Sequence, residues 1–294
     1  RIRLKTVDSS IKVDDVSLVL TSSIVDTTAP VITLLGDDTV TVEVGSVYTD
    51  AGATAIDNYD GDISSSIVTV NPVDTNTVGT YIITYNVSDV SGNVALEVTR
   101  TVNVVDTTLP VITLLGDNPV TIEVGSTYTD AGANATDTYD GDITSSIVTV
   151  STVNTAIVGV YTVTYNVSDA SGNTAAELTR TVNVVDTTVP VITLLGDSPV
   201  TSEVGSTYTD AGATAADTYD GDITSSIVTV STVNTAIVGV YTVRYNVSDA
   251  SGNAAVELIR TVNVVDTTVP VITLLGDSPV TIEVGSTYTD AGAT

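Results

Sequence analysis

Cysteine and histidine are both absent from this chain of 294 residues. Without thiols no disulfide framework can hold a fold. Without either residue, the usual makings of hydrolase triads, zinc centres and thiol nucleophiles are missing. Paired carboxylates remain, and glycosidases work with those, but here they recur in near-identical sets along the chain, which argues for a structural task. Phe, Trp and Met are missing too, so a core must be packed from Val, Ile, Leu, Ala and the 13 Tyr. Positive charge is scarce: eight Lys and Arg stand against 36 Asp and Glu, for a net charge of −28. So few cations cannot form a stripe along phosphates, which excludes nucleic acid as a partner, and an anionic membrane surface would repel the chain. No run approaches the roughly 18 apolar residues of a membrane-spanning helix. The opening RIRLKTVDSS lacks the pattern of a signal peptide, and no membrane insertion is expected of this segment.

The remaining composition is that of a folded protein. Hydrophobic residues make up 42% of the chain, too many for a disordered acidic polymer, so the acid belongs to the surface. PVITLLGD recurs at Pro30, Pro110, Pro190 and Pro270, a period of 80 residues. The second and third copies differ at only nine positions, among them Ile122 against Ser202 and Thr164 against Arg244, which marks a recent duplication. A period of this length is too long for a solenoid unit and suits one small β-sandwich per repeat. The expected organisation is repeats at 26–105, 106–185 and 186–265, the start of a fourth at 266–294, and an unrelated segment at 1–25. Both ends read as cuts in a longer polypeptide, and tandem acidic, cysteine-free repeats are most easily understood outside the cell.

Within the second repeat the pattern is that of strands. Val111 to Leu115, Val120 to Val124, Tyr128 to Thr136, Ile147 to Val153, Val160 to Ser168 and Thr174 to Val185 are each rich in Val, Thr, Ile and Tyr, most with period two, and no window carries helical spacing. The fold class is therefore all-β, as tandem immunoglobulin-like sandwiches in an extended rod. Tyr161, two residues after Gly159 at the head of a long strand, is placed like the tyrosine that ties a sandwich's late strand to the preceding loop. SDASGN, from Ser168 to Asn173, reads as a hairpin turn. Ile122 is expected to point into the core, and Ser202 to weaken the third repeat at the same place.

DTYDGD sets three carboxylates within six residues at Asp137, Asp140 and Asp142, with copies at Asp57, Asp60 and Asp62 and at Asp217, Asp220 and Asp222. Carboxylates this close repel unless a cation lies among them, and an oxygen-only donor set suits a hard ion such as Ca²⁺. In an immunoglobulin-like sandwich the chain entry, this loop and the last hairpin meet at one pole. Asp106, Asp169 and Asn173 should then join the acidic loop, as should Asp26, Asp89 and Asn93 in the first repeat and Asp186, Asp249 and Asn253 in the third. The plainer reading is a solvated turn, because Asp and Gly favour turns without any metal. Asp130 reads as a turn or strand-edge residue, and Glu123 and Glu177 as outward positions on a solvated face. Asn-Val-Ser at Asn86, Asn166 and Asn246 matches a glycosylation acceptor but falls mid-strand, as a chance match would.

The ordered motifs DTTxPVITLLG, EVGSxYTDAGA, DxYDGDI, VGxY and VSDxSGN resemble the bacterial immunoglobulin-like repeats of large surface and secreted proteins, and are similar in style to hyalin repeats. The resemblance covers about 26–294. It implies a β-sandwich stalk in an exported protein, often an adhesin, with Ca²⁺ at domain junctions, an expectation that falls on Asp106, Asp140, Asp142 and Asp169 and their copies. VDDVSL, within residues 1–25, resembles the closing strand of a jelly-roll carbohydrate-binding module. Three readings stay open. One is a non-catalytic stalk whose partners are its own neighbouring repeats, with a glycan or cell-surface ligand held by domains outside this segment. In the second the repeats bind glycan or protein themselves, through Tyr59, Tyr139 and Tyr219. The third is the accessory region of a secreted enzyme.

Overall fold

The computed structural model describes residues 25–294, so the likeness drawn for VDDVSL lies outside the described residues. The first repeat contains β1 (Val31–Leu34), β2 (Thr39–Glu43), β3 (Ala53–Asp57), β4 (Gly61–Asp62), β5 (Val68–Val70), β6 (Gly79–Asn86) and β7 (Val98–Val105). The second contains β8 (Val111–Leu114), β9 (Val120–Glu123), β10 (Ala133–Asp137), β11 (Gly141–Asp142), β12 (Val148–Ser151), β13 (Gly159–Asn166) and β14 (Leu178–Val185). The third contains β15 (Val191–Leu194), β16 (Val200–Glu203), β17 (Ala213–Asp217), β18 (Gly221–Asp222), β19 (Val228–Ser231), β20 (Gly239–Asn246) and β21 (Leu258–Val265). Each repeat forms one three-stranded and one four-stranded sheet, in the first repeat β1-β3-β4 and β2-β7-β6-β5. All helical structure among the described residues is one three-residue 3-10 turn per repeat, as at Thr144–Ser146.

By contact the described residues divide into two compact bodies, one with 25–113 together with 133–148 and 166–177, the other with 114–132, 149–165 and 178–294. The first body holds both sheets of the first repeat, and alternation packs them. Ile32 and Ala55 of one sheet meet Ile83, Tyr85 and Val102 of the other, with Leu34, Val42 and Tyr48 around them. In the second body Val243, Tyr245, Val262 and Val264 are covered by Ile192, Leu194 and Ala213 of the facing sheet. β1 pairs antiparallel with β3, whereas β2 pairs parallel with β7, so the chain changes sheet between β1 and β2. The tyrosine two residues after Gly159 behaves as expected: the Tyr161 hydroxyl donates to the Ile157 carbonyl at 2.9 Å, as Tyr81 does to Thr77. In SDASGN the Asp169 N–H donates to the Asn173 carbonyl at 3.0 Å, with Gly172 at φ 92, a conformation that side chains disfavour.

Two strand expectations need correction. Tyr128 to Thr136 does not run as one strand, for β10 begins at Ala133. The Asp130 carboxylate accepts from the Gly132 N–H at 3.1 Å, and Gly132 has φ 79, which turns the backbone out of the extended form. The last strand starts at Leu178 rather than Thr174, because Thr174 is occupied in a single bridge to Ser168.

The sequence reading also missed what lies at the centre of each core. Arg100, Arg180 and Arg260 are buried to 1%, 1% and 0% exposure. Arg100 sits in phase with inward-facing Val102 and Val104 on β7, so strand alternation itself carries it inside. Its guanidinium pairs with Asp50 and donates to the Leu35 carbonyl, to the Asp37 carbonyl at 2.9 Å and to the Tyr85 hydroxyl at 3.1 Å. Arg260 pairs likewise with Asp210, and Arg180 with Asp130 at 3.3 Å. Burial pushes these carboxyls up, but donation from Tyr85, Tyr165 or Tyr245 and the nearby guanidinium outweigh it, leaving Asp50, Asp130 and Asp210 below their ordinary value of 3.8. Burial and the facing carboxylate push the Tyr165 hydroxyl up to about 12. Asp130, read above as a turn residue, is the counter-ion of a buried cation.

Removing one member of such a pair strands the other, which typically costs about 3–5 kcal/mol. Asp130 keeps 24% of its side chain exposed, so the lower end applies, and Asp130→Ala is expected to cost about 3 kcal/mol, read as a shift in denaturant midpoint. A carboxyl whose folded value lies below 3.8 contributes its stability in full above that pH and loses it as the pH falls through the folded value. Circular dichroism melts should therefore be flat from neutrality to about pH 4 in this respect and fall steeply below.

Ile122 is half-buried on β9 beside Val184, and Ser202 takes the same place beside Val264, where its hydroxyl lies 2.9 Å from that of Ser206. At the corresponding position of the first repeat, Val42 packs against the core. Ser202→Val is expected to raise the stability of the third repeat by about 1 kcal/mol, measured in the full chain as an upward shift of its least stable unfolding transition. An unchanged transition would show that the hydroxyl pair already compensates.

Candidate metal centre

Asp106 enters the second repeat directly after β14's counterpart β7 ends at Val105, Asp137 closes β10, Asp140 follows in the turn, and Asp169 opens the last hairpin. These elements meet, so that one carboxylate oxygen from each of Asp106, Asp137, Asp140 and Asp169 lies within 4.8 Å of the others. The same holds for Asp26, Asp57, Asp60 and Asp89 and for Asp186, Asp217, Asp220 and Asp249. Three of each four are buried, Asp106 to 5%, Asp137 to 7% and Asp169 to 9% exposure. Burying carboxylates among one another is costly without donors or a cation to offset their charge.

Backbone donors offset part of it. Asp137 Oδ1 accepts from the N–H groups of Tyr139 and Asp140 at 2.7 and 3.1 Å, and Oδ2 accepts from the Thr108 hydroxyl at 3.2 Å. The Asp140 N–H is foremost in holding the Asp137 carboxyl below its ordinary range, against the burial that pushes it up, and Asp217 is held down in the same way by Asp220. Asp140 Oδ2 accepts from the Ala170 N–H at 2.8 Å, which ties the acidic turn to the hairpin. Asp106 Oδ1 accepts from the Thr108 N–H at 3.0 Å. Asp106 Oδ2 is buried and accepts nothing, and the same is true of Oδ2 in Asp26, Asp57 and Asp186. A buried carboxylate oxygen with no donor is rare in a folded protein and calls for an explanation. Oxygen donors alone at this spacing are the set that a hard divalent cation takes.

Of the six residues expected in each repeat, the structure brings four together. Asn173 stands behind them, donating from Nδ2 to the Asp106 carbonyl at 3.0 Å and to Asp169 at 2.8 Å, and Asn93 and Asn253 are placed alike. Its donor end thus ties the Asp169 carboxylate to the backbone of Asp106. Asp62, Asp142 and Asp222 lie outside the groups of four. They are exposed, and Oδ1 accepts from the N–H of Ser64, Thr144 and Thr224, the first residue of the 3-10 turn, at 3.0, 3.0 and 2.9 Å. The spacing Asp-Ile-Ser/Thr carries that signal, for Asp commonly bonds the backbone two residues on.

Glu123 also departs from its expected role as a solvated outward position. Its two oxygens accept from the N–H and the hydroxyl of Thr187 at 2.9 and 2.7 Å, and Glu43 grips Thr107 and Glu203 grips Thr267 in the same way. Donation by Thr187, backbone first, keeps the Glu123 carboxyl below its ordinary range. Thr187 follows Asp186 directly, so the residue next to a cluster acid is held by the preceding repeat. A separation of 64 residues hid this contact from the sequence. Tyr139 and Tyr219, considered above as ligand platforms, have hydroxyls that accept from the Val78 and Val158 N–H groups at 3.3 Å. Glu177 remains on a solvated face, accepting from Asn166 at 2.8 Å, which also occupies the amide of the Asn-Val-Ser match.

A string of two-sheet immunoglobulin-like units with a carboxylate cluster at each chain entry is a class of modular β protein, and comparison with known proteins narrows it. The chain belongs to the family described as bacterial surface protein, Ig-like domain, which matches it at residues 32–104, 112–184 and 192–264. It is 32% identical over 284 residues to hyalin of Strongylocentrotus purpuratus, covering 92% of this chain and 23% of that protein. To hyalin of Lytechinus variegatus it is 35% identical over 293 residues, covering 92% of this chain and 54% of the relative. The chain thus spans between about a quarter and about half of the curated relatives it matches. Among solved structures, an I-band fragment from titin aligns over 83% of this chain and all of its own at 12% identity, with a TM-score of 0.28, too low to carry an argument.

The Glu123 contact is testable by amide exchange. In Glu123→Ala the Thr187 N–H loses its acceptor, and its exchange with solvent should quicken on the order of tenfold while amides in β13 keep their protection.

Proposed function

We propose that the chain is a non-catalytic structural stalk or spacer of a large extracellular or cell-surface protein, an adhesin, stiffened by Ca²⁺ held among the four carboxylates at each repeat entry. The observation that carries the cation is the unpartnered, buried Oδ2 of Asp26, Asp57, Asp106 and Asp186 within those clusters. The surface setting is supported by the family and by likeness to hyalin. No helix among the described residues is long and apolar enough to cross a membrane. Ligand recognition is assigned to parts of the protein beyond these repeats, in keeping with the use of Tyr139 and Tyr219 as contacts to the preceding repeat.

Asp106 is both a cluster member and the first residue after the preceding repeat, so a bound ion orders the tripeptide Asp106 to Thr108 while Glu43 holds Thr107 from the other side. Extracellular modules bind Ca²⁺ at roughly 10⁻⁴ to 10⁻³ M, so such sites fill outside a cell and empty inside it. Without the ion, like charges crowd the entry and favour its opening.

Titration calorimetry of the full chain should show Ca²⁺ binding in that range. Asp137→Asn should weaken the site of its own repeat by about tenfold or more, whereas Asp142→Asn should leave it unchanged. With Ca²⁺, small-angle scattering should give a longer maximum dimension and the DTTLP segment should resist protease; chelator should reverse both. No heat of binding together with an unchanged maximum dimension would remove the cation from this reading and leave the acidic turns as solvated turns.

A further inference from the structure

We propose that the buried arginine of each repeat is a mechanical lock that resists tension along the chain. The inference builds on the spacer reading only in that a spacer bears load, and it involves no cation. In the first repeat the chain enters through β1 and β2 and leaves through β7. β2 and β7 are parallel neighbours, paired from Thr39↔Thr101 to Glu43↔Val105. Tension at the two ends draws β2 back toward the entry and β7 on toward the exit, so the strands are sheared along their length. All the hydrogen bonds between them are loaded together, whereas strands peeled from one end give up bonds singly.

Arg100 stands one residue before the first of these pairs. Its guanidinium donates to the Leu35 and Asp37 carbonyls, in the connection between β1 and β2, and to the Gly52 carbonyl at 3.3 Å, and it pairs with Asp50. The last strand is thus fastened by a side chain to the segment that tension pulls the opposite way. For β7 to slip by one residue, a cation at 1% exposure must leave these acceptors while still enclosed by the core, and an unpaired buried charge is a costly intermediate. Slippage of the ladder therefore waits on the guanidinium. Arg260 holds the Leu195 carbonyl, the Gly212 carbonyl at 3.0 Å and Asp210, and Arg180 holds the Leu115 carbonyl, the Gly132 carbonyl at 2.9 Å and Asp130.

The test is single-molecule stretching of the full chain by its two ends, in chelator so that no cation contributes. The central variant is Arg180→Met combined with Asp130→Leu, which removes both charges and leaves neither stranded; such replacements are often neutral or stabilising at equilibrium. Forced unfolding reports the unfolding rate rather than the equilibrium. One repeat of the double variant should rupture at least about tenfold faster at constant force while the denaturant midpoint of the chain holds or rises. Arg180→Lys keeps the charge but cannot reach two carbonyls and a carboxylate together, and it should rupture at an intermediate rate; it serves alone if the double variant fails to fold. Rupture at the unsubstituted rate in either folded variant would overturn the proposal and leave the β2–β7 type of ladder as the whole resistance. Because no Ca²⁺ is present, failure of the cation reading would leave this result unaffected.

Discussion

A guanidinium taken out of water must find partners for its donors inside the protein, and the first repeat meets that requirement at Nε, Nη1 and Nη2, whereas the Nε of Arg180 and of Arg260 is buried without a hydrogen-bond partner. Arg100 reaches the interior on β7, facing inward with Val102 and Val104, and the acceptors come from the β1–β2 connection and from the loop that precedes β3. These are the places where the chain changes sheet or turns between sheets. One charged group therefore joins the two layers of a sandwich whose other contacts are small aliphatic side chains and tyrosine. A core without Phe, Trp or Met has few large apolar surfaces to bury, and directional bonds to a buried cation define a single arrangement where Val against Val would tolerate several. The arginines are also almost the only positive charges in the repeats, and they are spent inside.

That arrangement leaves the surface negative, with Arg244 beside Glu257 as the one exposed cation among the described residues. The acids gather where three segments of each repeat meet, at the entry, the acidic turn and the last hairpin, with the closest four carboxylates offering oxygens within 4.8 Å. Backbone N–H groups from Asp140, Tyr139 and Ala170 take up several of those oxygens, and Asn173 fastens two of the acids from behind. The oxygens left over are the ones a cation would take. The residue beside the cluster, Thr107 or Thr187, is gripped by a glutamate of the preceding repeat, so the electrostatics of one repeat's entry bear on its attachment to the one before.

The period of 80 residues, the all-β character and the pole at which the acids meet were legible in the sequence, since they follow from repetition, from period-two alternation and from the connection order of an immunoglobulin-like sandwich. The hydroxyl of Tyr161 was legible through its place at the head of a strand. Other features were legible only in part. Asp142 was grouped with Asp137 and Asp140 because it adjoins them, yet it lies opposite Thr136, one residue of strand alternation from Asp137, and faces outward to accept from the Thr144 N–H. The start of β10 was placed too early because the pull of Asp130 on Gly132 does not register in apolar periodicity.

Composition and order alone determined the repeat and the layered β architecture, because these depend on which side chains exist and on how they alternate. The tertiary structure decided the partners. Arg180 with Asp130, Glu123 with Thr187 and Tyr139 with Val78 are separated by 50, 64 and 61 residues or follow the same spacing in their sister repeats, and nothing local distinguishes them from solvated surface groups. A charge is read as exposed until the fold brings it a partner. Which carboxylates face one another, and which face water, is settled by strand register, where a shift of a single residue carries a side chain to the opposite face of the sheet.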